Sequence, residues 1–234
     1  MKVEIWSDVV CPWCYIGKRR FEAALDDFPQ RDQVEIVWRS FQLDPSSPRQ
    51  VEGSLDEMLA RKMGGLERAK AANARVAALA SEVGLEYHLD RAKPGNTFDA
   101  HRLIHLAATH GLQGEMKERL MHAYFTEGKP VGDEETLVAL ASEVGLDAEE
   151  ARAALNGDDF ADEVRADIDL AGAYGISGVP FFVLDGKYGV SGAQPTELFE
   201  QALETAWAAS KPLTLVSAGG AEDGEACEGD SCAI

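Results

Sequence analysis

The sequence predicts an α/β protein in which β-α-β and α-β-β-α segments bracket a large all-helical insertion. Three observations carry that prediction. β-Branched and aromatic runs cluster near the start and after residue 178, the stretch between them carries apolar residues at helical spacing, and Pro or Gly closes each run. Lys2 to Ser7 alternates into an apolar strand. From Pro12 a helix is expected, because Gly17, Phe21, Leu25 and Phe28 share one face, and Pro29 ends it. Val34 to Phe41 reads as the second strand, which makes the opening a parallel βαβ unit.

Helical segments are then expected over 54–63, 66–83, 97–110, 114–126, 133–144 and 160–174. The octapeptide Ala-Leu-Ala-Ser-Glu-Val-Gly-Leu occurs at 78–85 and again at 139–146, with unmatched flanks. Both copies read as helix ends, with Gly in the left-handed position and Leu folding back on the last turn, rather than as a duplication. Gly111-Leu112 and Gly175-Ile176 carry the same stop signal. Val179 to Leu184 is β-prone, Asp185-Gly186 is a tight-turn signal, and Lys187 to Ser191 completes a hairpin. Thr196 caps a closing helix that runs to about Ala209.

The chain has 234 residues, 45% of them hydrophobic, and a formal charge of −19, so it can bury a substantial core and is unsuited to wrapping nucleic acid. No apolar run approaches the ~20 residues needed to cross a bilayer, so neither nucleic acid nor membrane is an expected partner. The first residues already read as a strand rather than a charged leader, which makes the cytoplasm the expected compartment. Beyond Ser217 the chain is Gly-rich and holds five acidic residues with no Lys or Arg, leaving −14 on the rest. That tail is expected to stay solvated.

Four cysteines fall into two pairs, Cys11 with Cys14 and Cys227 with Cys232. In a reducing compartment a close pair does redox work or binds metal more often than it staples a fold. The first pair lies where the first strand gives way to the first helix. Pro12 suits the first helical turn, so Cys11 falls at the helix N-terminus, where the dipole favours a thiolate. Cys14 is one turn later, on the apolar stripe, and should be shielded. An exposed attacking thiol beside a protected one is what a reversible dithiol–disulfide couple needs. Trp13 adds an aromatic surface for substrate. Zinc is the weaker reading, because the second pair is more than two hundred residues away, and no metal site is expected.

The segments Asp8-Val9-Val10-Cys11-Pro12-Trp13-Cys14, Asn96-Thr97-Phe98-Asp99-Ala100-His101-Arg102 and Gly178-Val179-Pro180-Phe181-Phe182 resemble the FrnE group of DsbA-like proteins. The resemblance spans nearly the whole chain. It implies a thioredoxin-like fold over 1–44 and 175–212 and an inserted helical domain over 45–174, while composition makes 213–234 a flexible acidic tail. The resemblance further implies a protein disulfide oxidoreductase with Cys11 as nucleophile, Cys14 as resolving thiol and Pro180 as a cis-proline facing them. Val179 would then offer backbone hydrogen bonds to an extended substrate. No tightly bound cofactor is expected. Glutathione is a candidate co-substrate, and thiol or disulfide substrates and a thioredoxin- or glutathione-type redox partner are expected.

Kappa-class glutathione transferases and 2-hydroxychromene-2-carboxylate isomerases look alike outside the active loop, but usually carry Ser for the first Cys. They supply the alternative reading, a glutathione-dependent isomerase or transferase. A second alternative is a non-enzymatic redox-sensing or chaperone-like protein. Cys227 and Cys232 are accessory redox candidates that could relay electrons to the first pair. His101 and His105, four apart, lack a third ligand and read as hydrogen-bonded histidines, as do His88, His110 and His122. Phe98, His101 and Tyr124 are candidates for lining a groove between the insertion and Cys11.

Overall fold

The computed structural model describes residues 1–210. Four strands, β1 (Lys2–Ser7), β2 (Glu35–Ser40), β3 (Phe181–Leu184) and β4 (Tyr188–Ser191), form one sheet in the order β2-β1-β3-β4. β1 pairs parallel to β2 and antiparallel to β3, with Ile5 opposite both Trp38 and Phe182. β1 is buried on both sides because both faces of the sheet are covered, and Glu4, on the Trp6 side, is paired with Arg39. Val3 and Ile5 face α1 (Pro12–Asp26) and α9 (Thr196–Ser210), where Phe21, Phe182 and Phe199 pack with ring centroids 4.6 to 5.8 Å apart. Trp6 and Val183 face the other way, onto α8 (Ala161–Ala173), and the Trp6 indole donates to the Asp167 carbonyl at 2.9 Å.

Between β2 and β3 run α2 (Leu55–Met63), α3 (Leu66–Glu82), α4 (Phe98–Thr109), α5 (Gln113–His122), α6 (Glu134–Glu143), α7 (Ala148–Asn156) and α8. Three of them are capped as the chemistry of Ser and Asp dictates: Ser54 forms a capping box with Glu57 at α2, and Asp133 and Asp147 accept from the first-turn amides of α6 and α7. Both octapeptide copies end alike. Gly84 and Gly145 have φ of 75° and 99°, and the following Leu85 and Leu146 amides reach back to Ala80 and Ala141 at 3.0 Å. Leu112 and Ile176 close their helices the same way, so shared capping accounts for the repeat.

The sequence expectations differ from the structure at three places. Helix α7 was not expected; Asp147 followed by Ala-Glu-Glu starts it, and its far end is held by buried Arg102. The Arg102 guanidinium donates to the carbonyls of Ala154, Leu155, Gly157 and Asp159. The third strand begins at Phe181, not Val179, because Val179 and Pro180 form a turn joined by a cis peptide. The helix expected over 114–126 gives way at Ala123–Glu127 to a wider π-helical turn that carries Tyr124 and Phe125. At the sheet edge, the Gln113 side chain accepts from the Trp38 amide at 3.0 Å and donates to its carbonyl at 3.1 Å, occupying the open ladder of β2.

Candidate active site

β1 ends at Ser7, and the turn Asp8–Val10 delivers Cys11 to the start of α1. The Cys11 amide donates to the Asp8 carbonyl at 3.2 Å, and Cys11 is the N-cap residue, with Pro12 in the first helical position. The Cys14 amide returns to the Cys11 carbonyl at 3.0 Å, which draws the two side chains onto one turn. Both are free thiols. The Cys11 thiol donates to the Val179 carbonyl at 3.6 Å, so the turn before cis-Pro180 lies against the sulfur. A Cβ on Gly17 would stand 2.9 Å from Pro180 Cγ, so glycine at 17 is what lets α1 approach this turn.

The structure corrects one expectation. Cys11 is 3% exposed and Cys14 1%, so the first thiol is not open to solvent as a helix-end position suggested. The Val179–Pro180 turn packs over it. The outward group of the motif is Trp13, at 41% exposure. Burial and the adjacent Cys11 sulfur push the Cys14 thiol well above its ordinary range, opposed by Lys117 and the Asp8 backbone.

Beneath the pair lies a sealed polar layer. Asp8, His101 and Lys117 are 1%, 1% and 0% exposed. Asp8 Oδ2 accepts from the Leu43 amide at 2.8 Å, while Oδ1 faces His101 Nε2 at 3.5 Å, too long to satisfy either atom fully. Burial would raise the Asp8 carboxyl, but His101, the Leu43 amide and Lys117 hold it below its ordinary value. Burial outweighs Asp8 at His101 and keeps that imidazole neutral. Lys117 donates to the Ser7 carbonyl at 3.2 Å, and burial pushes its ammonium down to about 8 against the pull of Cys14, Asp8 and Cys11.

The insertion also reaches the motif directly. The Tyr87 hydroxyl donates to the Pro12 carbonyl at 2.8 Å, and its ring stacks on Phe125 at 4.5 Å. A cavity of about 230 Å³ opens between the insertion and the Asp8–Pro12 turn, lined by Leu55, Met58, Leu89 and Tyr124 among others. Of the three expected groove residues only Tyr124 lines it. His101 lies in the sealed layer, and Phe98 sits under the Arg165 guanidinium. His105 bonds Ser40 and Asp167, whereas His88, His110 and His122 pair with glutamates at the surface. Among the described residues no three of His, Cys, Asp and Glu are grouped to hold a metal ion. Cys227 and Cys232 lie outside the described residues.

Sequence reasoning assigned no role to Lys117 or Tyr87. Lys117 had a signal: it falls on the stripe with Leu120, Met121 and Tyr124, where an apolar residue belongs. Tyr87 had none, since it stands outside any helical segment and its partner is a backbone atom.

A family model for the DSBA-like thioredoxin domain matches residues 2–204. The crystal structure of a probable DsbA oxidoreductase from Streptomyces coelicolor is 48% identical, with 98% of this chain and 100% of that one covered and a TM-score of 0.87. The cytosolic disulfide reductase DsbM from Pseudomonas aeruginosa, solved with GSH, is 20% identical over 89% of this chain and 100% of its own, with a TM-score of 0.63. A 2-hydroxychromene-2-carboxylate isomerase is 17% identical over 88% and 95%, with a TM-score of 0.67. At those identities the last two share the fold. Among the described residues no helix is long and apolar enough to cross a membrane.

Proposed function

The chain belongs to the DsbA-like thioredoxin domain family, and from that premise we propose that it is a cytoplasmic thiol–disulfide oxidoreductase working through Cys11 and Cys14. The observation that carries the reading is the Cys11 thiol at the N-cap of α1, 3.6 Å from the Val179 carbonyl of the Pro180 turn, with Cys14 one turn behind it. Cys11 sits at the N-terminal, positive end of the α1 dipole. As thiolate it attacks one sulfur of a substrate disulfide, forms a mixed disulfide and releases the other sulfur as a thiolate, which takes up a proton. Cys14 then attacks Cys11 Sγ, closes the Cys11–Cys14 disulfide and frees the second thiolate. The reverse sequence oxidises a dithiol.

Trp13 and the Val179 backbone are the substrate contacts in this reading. Substrate must displace the Cys11–Val179 hydrogen bond, because the same carbonyl would bond an extended chain. Glutathione is the candidate co-substrate, and the Cys227–Cys232 pair a candidate relay. Replacing Cys227 and Cys232 by Ser lowers turnover if they relay electrons and leaves rate and potential unchanged if they do not. The main reading is tested by insulin reduction: Cys11→Ser should abolish it, and equal activity in variant and wild type would overturn it.

One observation favours a second reading. The cavity against Asp8 and Pro12 has room for a small apolar molecule, as a glutathione-dependent isomerase needs. That reading requires turnover of an aromatic substrate with glutathione that survives Cys14→Ser.

A further inference from the structure

Lys117 is a buried charge that the mechanism above leaves unused. It projects from α5, a helix of the insertion, to the end of β1, and its one direct hydrogen bond goes to a neutral group, the Ser7 carbonyl. Among the described residues no carboxylate lies within 4.0 Å of its Nζ, and the Trp38 ring stands 5.7 Å away. An ammonium so enclosed is tolerable only where negative charge is near. The charged and titratable groups around it are Asp8 after β1, Cys11, Cys14 and Lys18 on α1, and His101 on α4. Lys18 is committed to Glu22 and Glu118 at 2.5 and 2.6 Å, Asp8 is held by the Leu43 amide and His101, and His101 is neutral. Only the two sulfurs change charge during turnover, and the Cys14 thiol meets the Asp8 backbone, across one peptide bond from the Ser7 carbonyl that accepts from Lys117, with both side chains buried.

We propose that Lys117 is a positioning residue for the resolving half-reaction, its ammonium stabilising the Cys14 thiolate while that sulfur attacks Cys11. This rests on the reading of Cys14 as the resolving thiol and adds what makes its ionisation attainable. The effect is timed by the chemistry. While Cys11 is free, its sulfur opposes charge on Cys14. Once Cys11 is bound in the mixed disulfide that opposition is gone, and the Lys117 charge and the Asp8 backbone are left to offset burial. The Cys14 thiol gives its proton to solvent, and its thiolate forms a bond to Cys11 Sγ. The bond from Cys11 to the substrate sulfur breaks, and that sulfur leaves with the electron pair and takes up a proton. Cys11 and Cys14 are thereby oxidised to the disulfide and the substrate sulfur is reduced. The helical insertion thus supplies a charge to a reaction whose sulfurs both sit on α1.

The test uses the full chain with Cys227→Ser and Cys232→Ser, so that only Cys11 and Cys14 react with dithionitrobenzoate. Attack by Cys11 releases a first coloured thiolate, and attack by Cys14 releases a second. Lys117→Gln keeps a donor for the Ser7 carbonyl and removes the charge. Its first phase should be unchanged, its second about tenfold slower at neutral pH, and the pH midpoint of that second phase raised by about one unit. Lys117→Arg, which keeps the charge, should restore the second phase. An unchanged second phase in Lys117→Gln, equal slowing of both phases, or a Lys117→Arg variant as slow as Lys117→Gln would overturn the inference. Failure of the underlying reading looks different: wild type would then release no second thiolate, or Cys11→Ser would release its single thiolate, from Cys14, as fast as wild type releases its first.

Discussion

Replacing Lys117 by Gln should change how stability responds to pH, by an amount set by the burial of the ammonium. In the unfolded chain this lysine holds its proton to about 10.5, and in the folded protein burial releases it near 8. Between those values the unfolded state binds more protons than the folded one, so the native lysine's contribution to stability rises with pH. Below 8 the wild-type lysine destabilises the fold most, and the penalty vanishes above 10.5. Integrated from pH 7 to pH 10, the lysine protein should gain about 2.5 kcal/mol on the Gln variant. Urea unfolding at several pH values measures this, with Cys11 and Cys14 replaced by Ser so that thiol titration does not intrude. The thiols pull the Lys117 ammonium upward, so their removal does not shrink the effect. A difference that stays flat within about 0.5 kcal/mol across that range would mean that the ammonium reaches water, and the argument from burial would fail.

Glu118 tests the opposite sign. Burial would raise it, but Arg19 and Lys18 hold it at about 2 instead of 4.5, so Glu118→Gln should lose stability at neutral pH and the loss should fade as pH falls from 4.5 toward 2. Its side chain is 32% exposed, so screening reduces the loss to about 1–2 kcal/mol, read from thermal melts at pH 7 and pH 3. Gly132→Ala would put a Cβ 2.0 Å from the Arg49 carbonyl oxygen, a backbone atom that cannot swing aside, and should cost about 3 kcal/mol. Gly172→Ala, in open space on α8, should instead stabilise by about 0.5–1 kcal/mol, and equal effects at the two sites would refute the packing argument. Tyr87→Phe leaves the Pro12 carbonyl without its donor and should cost about 1–2 kcal/mol in urea unfolding; no loss would mean that water replaces the hydroxyl.

Much of the fold was legible because local signals and burial agreed. Lys2 to Ser7 reads as a strand and is one, and the Gly-Leu stops at 84, 111 and 145 each close a helix with the same backbone hydrogen bond. Helix α7 escaped because its stabilisation is tertiary. Its far-end carbonyls are bonded by Arg102, some fifty residues earlier in the chain, and no sequence window holds both. The start of β3 was misplaced because Val179 is β-prone while the following cis-proline turns the chain. At the site, the spacing of Cys11 and Cys14 and the position of Pro12 were readable from helix-end chemistry. The burial of Cys11 was not, since the covering turn comes from 168 residues away. Lys117 and His101 come to the cysteines from separate helices, so only the packed insertion reveals the sealed layer below them.

The central claim is that Cys11 attacks and Cys14 resolves. It is tested most directly by trapping the mixed disulfide in the Cys14→Ser protein, again with Cys227 and Cys232 replaced by Ser. After incubation with a disulfide-bonded peptide, mass spectrometry under non-reducing conditions should find one peptide half linked to Cys11. With Cys14 restored, the adduct should give way to a Cys11–Cys14 disulfide and free peptide thiol. Absence of the adduct on Cys11, or an adduct formed just as fast on Cys14 in the Cys11→Ser protein, would contradict the assignment.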